Sequence, residues 1–214
     1  MANVYKWQNV TVSMQSAIAA TKTITAITKA NPGVVSSTAH GYSNGDYIYV
    51  SATGMRQVDG RIFRVSNQAT DSFSLEGENT TGYDTFVSGT AQKITFGTSI
   101  VTATSMSSGG GNYNMIDVTT IHGNQKRQVP GLQDAVSFTF DNLWDPADTG
   151  QVAMKAASDA GSQLAFMWQF GTGGPRVLFT GYVGFTGAPG GSAQDKVTTQ
   201  AVITAFGSPT YYSS

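Results

Sequence analysis

Apolar and polar residues alternate with a period of two along most of the chain, and only one stretch carries a helical pattern, which predicts an all-β protein. In Asp46–Ser51, Ile48 and Val50 fall on one face, Tyr47 and Tyr49 on the other. In Arg61–Ser66 and Ser72–Glu76, Phe63 with Val65 and Phe73 with Leu75 share an inward face. Between these runs lie Ser43-Asn44-Gly45-Asp46, Val58-Asp59-Gly60 and Ala69-Thr70-Asp71. Asn-Gly and Asp-Gly tolerate positive φ and so turn the chain. Short strands at such close spacing predict a small barrel or sandwich.

The segment 28–93 reads as a self-contained inserted barrel, opening at Asn31-Pro32-Gly33 and closing after Ser88-Gly89-Thr90. Two Thr-rich extended stretches flank it, Ala20–Thr28 and Ile94–Thr104, and pairing between them would bring its ends together. Residues 1–27 and 94–214 then form one discontinuous parent domain. Its strands are longer: Phe138 and Phe140 alternate with polar neighbours, and Leu164, Phe166, Trp168 and Phe170 alternate with Ala165, Met167 and Gln169. Over Arg176–Thr186, Val177, Phe179, Val183 and Phe185 oppose Leu178, Thr180 and Tyr182; in Lys196–Phe206, Val197, Ala201 and Ile203 oppose Val202 and Phe206. Strands apolar on both faces must be covered on both.

The one helix is predicted from Asp145-Pro146-Ala147-Asp148 to Ala160-Gly161, with Asp145 as N-cap, Pro146 at N1 and Asp148 at N3. Val152 and Ala156 offer it a narrow apolar stripe. Met106–Met115, rich in Gly and Ser, reads as a loop that orders on association.

Composition narrows the function classes. Charged residues are 12% of 214, against about 25% in ordinary soluble domains, so the surface is polar rather than ionic. A formal net charge of -1 supplies no footprint for tight phosphate neutralisation. With no Cys, disulfides and thiolate metal sites are excluded, and the chain suits a reducing compartment. Met1–Trp7 carries no signal-like pattern, and the sequons at Asn9 and Asn79 read as coincidence in a Thr-rich chain.

Candidate chemistry is thin. His40 and His122 fall in separate segments and read as turn residues rather than ligands; no metal or cofactor is expected. Asp141, Asp145 and Asp148 lack the spacing of a calcium loop. Glu76 and Glu78 read as a solvated strand face before an acid/base pair. Gly109-Gly110-Gly111 and Gly171-Thr172-Gly173-Gly174 match no phosphate-loop pattern and read as tight or flexible connections.

One set of motifs is more specific. Ile116-Asp117-Val118-Thr119-Thr120, then Lys126-Arg127, Pro130-Gly131-Leu132-Gln133-Asp134, Val136-Ser137-Phe138-Thr139 and Asp145-Pro146-Ala147-Asp148 occur in order and at close spacing. This pattern resembles the major tail tube protein of long, non-contractile tailed phages, over 94–214 plus the first 27 residues. Separately, His40-Gly41-Tyr42-Ser43-Asn44-Gly45-Asp46, Gly54–Gly60 and Ser72–Leu75 resemble the small β-barrel repeat of many phage structural proteins. That repeat is similar to the first catalytic cysteine half-domain of ubiquitin-activating enzymes, and here it lacks any cysteine.

The resemblance implies a tail-tube β-sandwich flanked by one helix, six copies per ring, and sheets joined across subunits around a lumen that DNA traverses without specific binding. It also implies long loops bridging stacked rings; tape measure, tail terminator and tail tip proteins as partners; assembly in the host bacterial cytoplasm; and residence in the virion tail. Lys126, Arg127 and Asp134 are the expected inter-subunit contacts, against the alternative of solvated loop charges. A different class, a phage fibre, decoration or lectin-like module, would use Tyr47, Tyr49 or Tyr83 to stack on sugars; a hydrolase would need Glu76 and Glu78 or the Asp145 region.

Overall fold

The computed structural model describes residues 8–213; the first seven residues of the expected parent domain lie outside it. In chain order the elements are β1 (Val10–Ile18), β2 (Lys22–Ile24), β3 (Ala26–Ile27), β4 (Val34–Ser36), β5 (Tyr47–Thr53), β6 (Arg61–Ser66), β7 (Ser72–Leu75), β8 (Ser88–Ser99), β9 (Ala103–Gly109), β10 (Tyr113–Asp117), β11 (Gln128–Gln133), β12 (Ser137–Leu143), α1 (Thr149–Ala160), β13 (Gln163–Phe170), β14 (Arg176–Phe185) and β15 (Thr198–Tyr212). The all-β expectation holds.

Thirteen strands form one curled antiparallel sheet in the order β3-β4-β7-β6-β5-β8-β1-β13-β14-β15-β12-β9, with β2 pairing β8 off this path. The curl follows from the right-handed twist that every strand imposes on its neighbours. β10 and β11 form a separate two-stranded ribbon. β8 is the hinge of the architecture: Ser88–Ile94 pair with β5, and Ile94–Ser99 pair with β1.

The flanking stretches pair in a different register from the one expected. Lys22–Ile24 lie against Gly89–Ala91, and Ala17 and Ile18 lie against Thr95 and Ile94, while Ala26 and Ile27 turn away to pair with β4. The short strands β2 and β3 break at Thr25, whose backbone N–H donates to Ser36 O. Period-two patterning alone does not set which partner a Thr-rich strand takes.

Three apolar clusters fill the molecule. The first lies beneath α1: Val12, Met14, Phe140, Phe166, Trp168, Phe179 and Ile203 close on Met154 and Ala157. Its aromatic rings meet edge-on or stacked, Phe138 on Trp168 at 4.3 Å and Phe166 on Phe179 at 5.5 Å. The second holds Ile48, Val50, Phe63, Val65, Phe73 and Leu75, the inward faces read from the sequence. The third is a seam between these two, built from Ile62, Ile94, Ala165, Leu178 and Tyr212, with Tyr47, Tyr49, Phe96 and Met167 packed against it. The seam explains why β13 and β14 are apolar on both faces: one covers α1's cluster, the other meets β6. Polar groups lock it, with Arg64 N donating to Tyr212 Oη at 2.7 Å, Thr180 Oγ1 to Gly60 O at 3.0 Å and Arg176 Nη1 to Tyr47 Oη at 3.0 Å.

The helix begins later than predicted. Asp148, not Asp145, is the N-cap: its backbone is extended and its side chain accepts from Gln151 N at 2.9 Å. Asp145 instead caps the preceding turn by accepting from Ala147 N, so Pro146 precedes the helix rather than starting it. Gly161 ends α1 in the left-handed conformation, as read from the sequence. The buried face is Gly150, Gln151, Met154 and Ala157; Val152 and Ala156 are exposed, because the stripe chosen from two residues is one step out of phase.

Candidate functional site

The most unusual feature is an arm. β9 and β12 pair as a hairpin, and the same two chain segments continue beyond the sheet as β10 and β11. At the junction the chain kinks through Gly110 and Gly111, at φ 81 and 76. A Cβ on Gly110 would stand 2.1 Å from Ala135 O, so no other residue fits here. Backbone bonds nevertheless bridge the kink, Gly111 N to Asp134 O at 3.2 Å and Asp134 N to Asn112 O at 2.9 Å. Met106–Met115 is therefore two strands and a tight bend, not a loop, because the antiparallel partner supplies the order that a Gly- and Ser-rich composition withholds.

The arm has no core of its own. Tyr113, Met115, Ile116, Val118, Val129 and Leu132 are all exposed, and Ile121 near its tip is 97% exposed. A lone two-stranded ribbon is marginal in water, and so large an apolar surface marks a contact site. Near the tip, Val118 N donates to Arg127 O, and Arg127 N donates to Thr119 Oγ1. Asp117 accepts from Thr119 N at 2.8 Å, and bonds from Thr119 hold its carboxyl below the usual range.

Lys126 and Arg127 stand beside this tip, and Asp134 lies at the kink, so the structure does not bring the three together. Lys126 Nζ is 3.7 Å from Asp117 Oδ2 and its side chain is 77% exposed, a surface pair of little energetic weight.

The other sequence candidates are occupied elsewhere. His40 is buried rather than a turn residue: Tyr42 N donates to its Nδ1 at 3.0 Å, which leaves Nε2–H to donate to Ala69 O at 2.9 Å. His122 is exposed on the arm tip. Glu76 and Glu78 do not form a solvated face; they pair with Arg64 and Arg61, the latter at 2.6 Å with both side chains about nine-tenths buried. Tyr47 and Tyr49 are not free to stack on sugars, since both pack against the seam, and Tyr83 donates its hydroxyl to Glu78. Asp141 accepts from Ser105 Oγ at 2.6 Å and Gln200 Nε2 at 3.0 Å, bonds that hold its carboxyl below the ordinary range.

Two surfaces escaped the sequence reading. β9 ends the sheet, and its outer edge has no strand partner among the described residues. Beside it runs a groove of about 490 Å³ between β1 and β9, lined by Val10, Val12, Ile100, Val101, Met106 and Phe140 among others. Neither carries a motif, because both arise where the curled sheet fails to close. The arm left one trace: Met115 and Ile116 are adjacent apolar residues on opposite faces, with no neighbouring strand in sequence to cover both.

A search of curated proteins gives no significant match. Among solved structures, a chain from the tail of an empty GTA particle, computed by helical refinement with C6 symmetry, is 16% identical. The likeness covers 55% of this chain and 87% of that one at a TM-score of 0.43. A family profile described as "Phage tail tube protein, TTP" matches residues 53–214, beginning at the end of β5; it takes in residues 53–93, which the sequence reading set outside the resemblance as an insertion, and leaves out the first 27, which that reading set inside it. With three quarters of its length matched, this chain belongs to the phage tail tube protein family.

Proposed function

We propose that this structural tail tube subunit works by completing, with copies of itself, the surfaces that a single chain leaves open. Subunits join side by side into rings, six per ring as the family resemblance implies, and rings stack into a hollow tube. The observation that carries this reading is the β10–β11 arm, whose apolar residues stay exposed among the described residues. The free edge of β9 supports it, since an exposed edge strand is a template for a strand of another chain.

The uncovered face of β9, β12 and β15 supports DNA passage through the lumen. It presents Ser105 and Ser107, Ser137 and Thr139, Gln200, Val202 and Thr204, with Asp141 as its one charge within these strands. A wall of neutral, mostly polar groups and sparse negative charge gives phosphate no cation to bind. In this reading Lys126, Arg127 and Asp134 contribute between subunits, segment 28–93 is an inserted barrel on the tube exterior, and tape measure, terminator and tip proteins meet the tube ends. The protein is made in the host bacterial cytoplasm and resides in the phage tail.

The test is replacement of Gly111–Asp134 by a short Gly-Ser turn joining β9 to β12. The full chain is expected to sediment as large assemblies and the armless chain as a folded monomer; assemblies of equal size from both remove the arm from the mechanism. Charge reversal at Lys126 and Arg127 together is expected to lower tube yield in micrographs, and an unchanged yield removes those two residues.

A further inference from the structure

We infer that Asn142 and Thr199 hold a buried hydration site between β12 and β15, beside the first turn of α1. Asn142 has no exposed surface and Thr199 is 5% exposed. Yet neither amide atom of Asn142, Oδ1 or Nδ2, nor Thr199 Oγ1 meets a hydrogen-bond partner among the described residues. The two residues are register partners, so three unpaired polar atoms face one small region of the core. Folded chains satisfy nearly every buried group of this kind, because leaving one unpaired costs its full desolvation.

The surroundings supply no protein partner but leave room. Alternation along β12 puts Phe138, Phe140 and Asn142 on the face turned to the helix, and along β15 it puts Thr199, Ala201 and Ile203 beside them. Opposed side chains stand about 5 Å apart at Cβ, a gap that water bridges. Gln151, the polar side chain that α1 brings to this end of β12, is already committed. Its Nε2 donates to Leu143 O at 2.6 Å and to Thr102 Oγ1 at 3.0 Å, so it has no donor left for Asn142 Oδ1. In the next row, Phe140, Ala201 and Phe185 pair across three strands and fill the core with two rings. In the row of Asn142 and Thr199, the β9 position is only Ala103.

The chemistry of the three atoms selects the occupant. Oδ1 accepts, Nδ2 donates and Oγ1 does either. A cation would suit the two oxygens but face the Nδ2 hydrogens, and an anion would face Oδ1. Water both donates and accepts, so it fits the whole set. The site also bears on strand register. A slip of two residues between β12 and β15 would keep Phe138, Phe140 and Asn142 on the core face. It would set Asn142 against Ala201 or Val197 and split the shared water from Thr199, so the site opposes a slip that the apolar pattern tolerates.

The test is a density map of the full chain, crystallised or assembled, at a resolution that shows ordered solvent. Expected is solvent density within hydrogen-bond distance, about 2.7–3.2 Å, of the Asn142 amide and of Thr199 Oγ1. A direct bond from the Asn142 amide to Thr199 or to another protein group overturns the site, and so does the absence of density between them. Density that contacts Asn142 Oδ1 and Thr199 Oγ1 at shorter range, and not Nδ2, marks a metal ion and overturns water as the occupant. Thermal unfolding gives a second readout. Asn142→Leu and Thr199→Val each remove one holder of the water and are expected to lower the midpoint. The double variant leaves neither polar group behind and is expected to lose less than the two single losses together. Simple additivity overturns the shared site, and an Asn142→Leu chain that melts above the parent overturns it too, being the result expected of an amide with no partner at all. If a variant fails to fold, the map of the unmodified chain decides.

Discussion

Leu178 and Ile62 have no exposed surface, and they belong to the seam where β6 meets β14 across the curled sheet. Truncating either to Ala removes buried methyl groups and leaves a cavity, at a cost of about 2–5 kcal/mol each. For a chain of this length each kcal/mol lowers the melting midpoint by about 2–4 °C, so either variant is expected to melt roughly 4–20 °C below the parent. The distinctive expectation concerns cooperativity. β8 runs unbroken through both halves and the seam is sealed by Arg64 N on Tyr212 and Thr180 on Gly60. Ile62→Ala, made on β6, should therefore destabilise Trp168 in the cluster beneath α1. Denaturant unfolding is followed by Trp168 fluorescence, in a Trp7→Phe/Trp144→Phe background that leaves it the one tryptophan, and by amide exchange in β6, at a dilution where sedimentation gives a monomer. Both probes should move together, and the Ile62→Ala/Leu178→Ala cycle should show coupling of about 0.5–3 kcal/mol. If the exchange of β6 shifts while the Trp168 transition stays in place, or if the two losses simply add, the halves are independent bodies and the seam is incidental.

Other perturbations probe single links of the argument. Gly110→Ala puts a Cβ 2.1 Å from Ala135 O at φ 81, so assembly judged by light scattering should be lost while the melting midpoint of the sheet changes little; normal tubes would show that the bend is not required. Asp148→Ala removes the cap on Gln151 N and should cost about 0.5–2 kcal/mol in thermal unfolding, whereas Asp145→Ala leaves α1 capped; the reverse order contradicts the helix start. Burial pushes the hydroxyls of Tyr42 and Tyr212 up to about 12, with Asp46 adding to the effect at Tyr42. The folded chain then keeps protons that the unfolded chain sheds near pH 10. Their contribution is intact below that pH and falls by about 1.4 kcal/mol per pH unit per tyrosine as pH rises toward the folded values. Unfolding measured across that window should show this slope, and Tyr212→Phe should reduce it; a flat profile refutes the burial of these hydroxyls.

The strands were legible where one face is apolar and the turn residues are specific. Arg61–Ser66 and Ser72–Leu75 match their expected runs because Phe63, Val65, Phe73 and Leu75 fix the register between turns at Gly60 and Asn67. The run Lys196–Phe206, read as apolar on both faces, is covered on one: Ala201 and Ile203 are buried, whereas Phe206 on the other face is 48% exposed. The seam partners come from residues more than 100 positions away, Ile62 against Leu178 and Arg64 against Tyr212, and no local pattern encodes that distance. The helix start was misplaced because Asp145 and Asp148 are both competent caps, and only the tertiary position of Gln151, bonded to Leu143 O, selects the second. In the assembly surfaces, the tail tube motifs located the arm, while its exposure and the open β9 edge depend on how far the sheet curls.

The central claim is that completion by sister subunits is the task of this chain. Cryo-electron microscopy of the purified full-length protein, over a series of concentrations and salt conditions, tests it most directly. The account predicts hollow tubes of stacked rings in which density for residues 113–133 crosses into a neighbouring subunit. A monodisperse single chain under every condition, with the arm free in solvent, would contradict it.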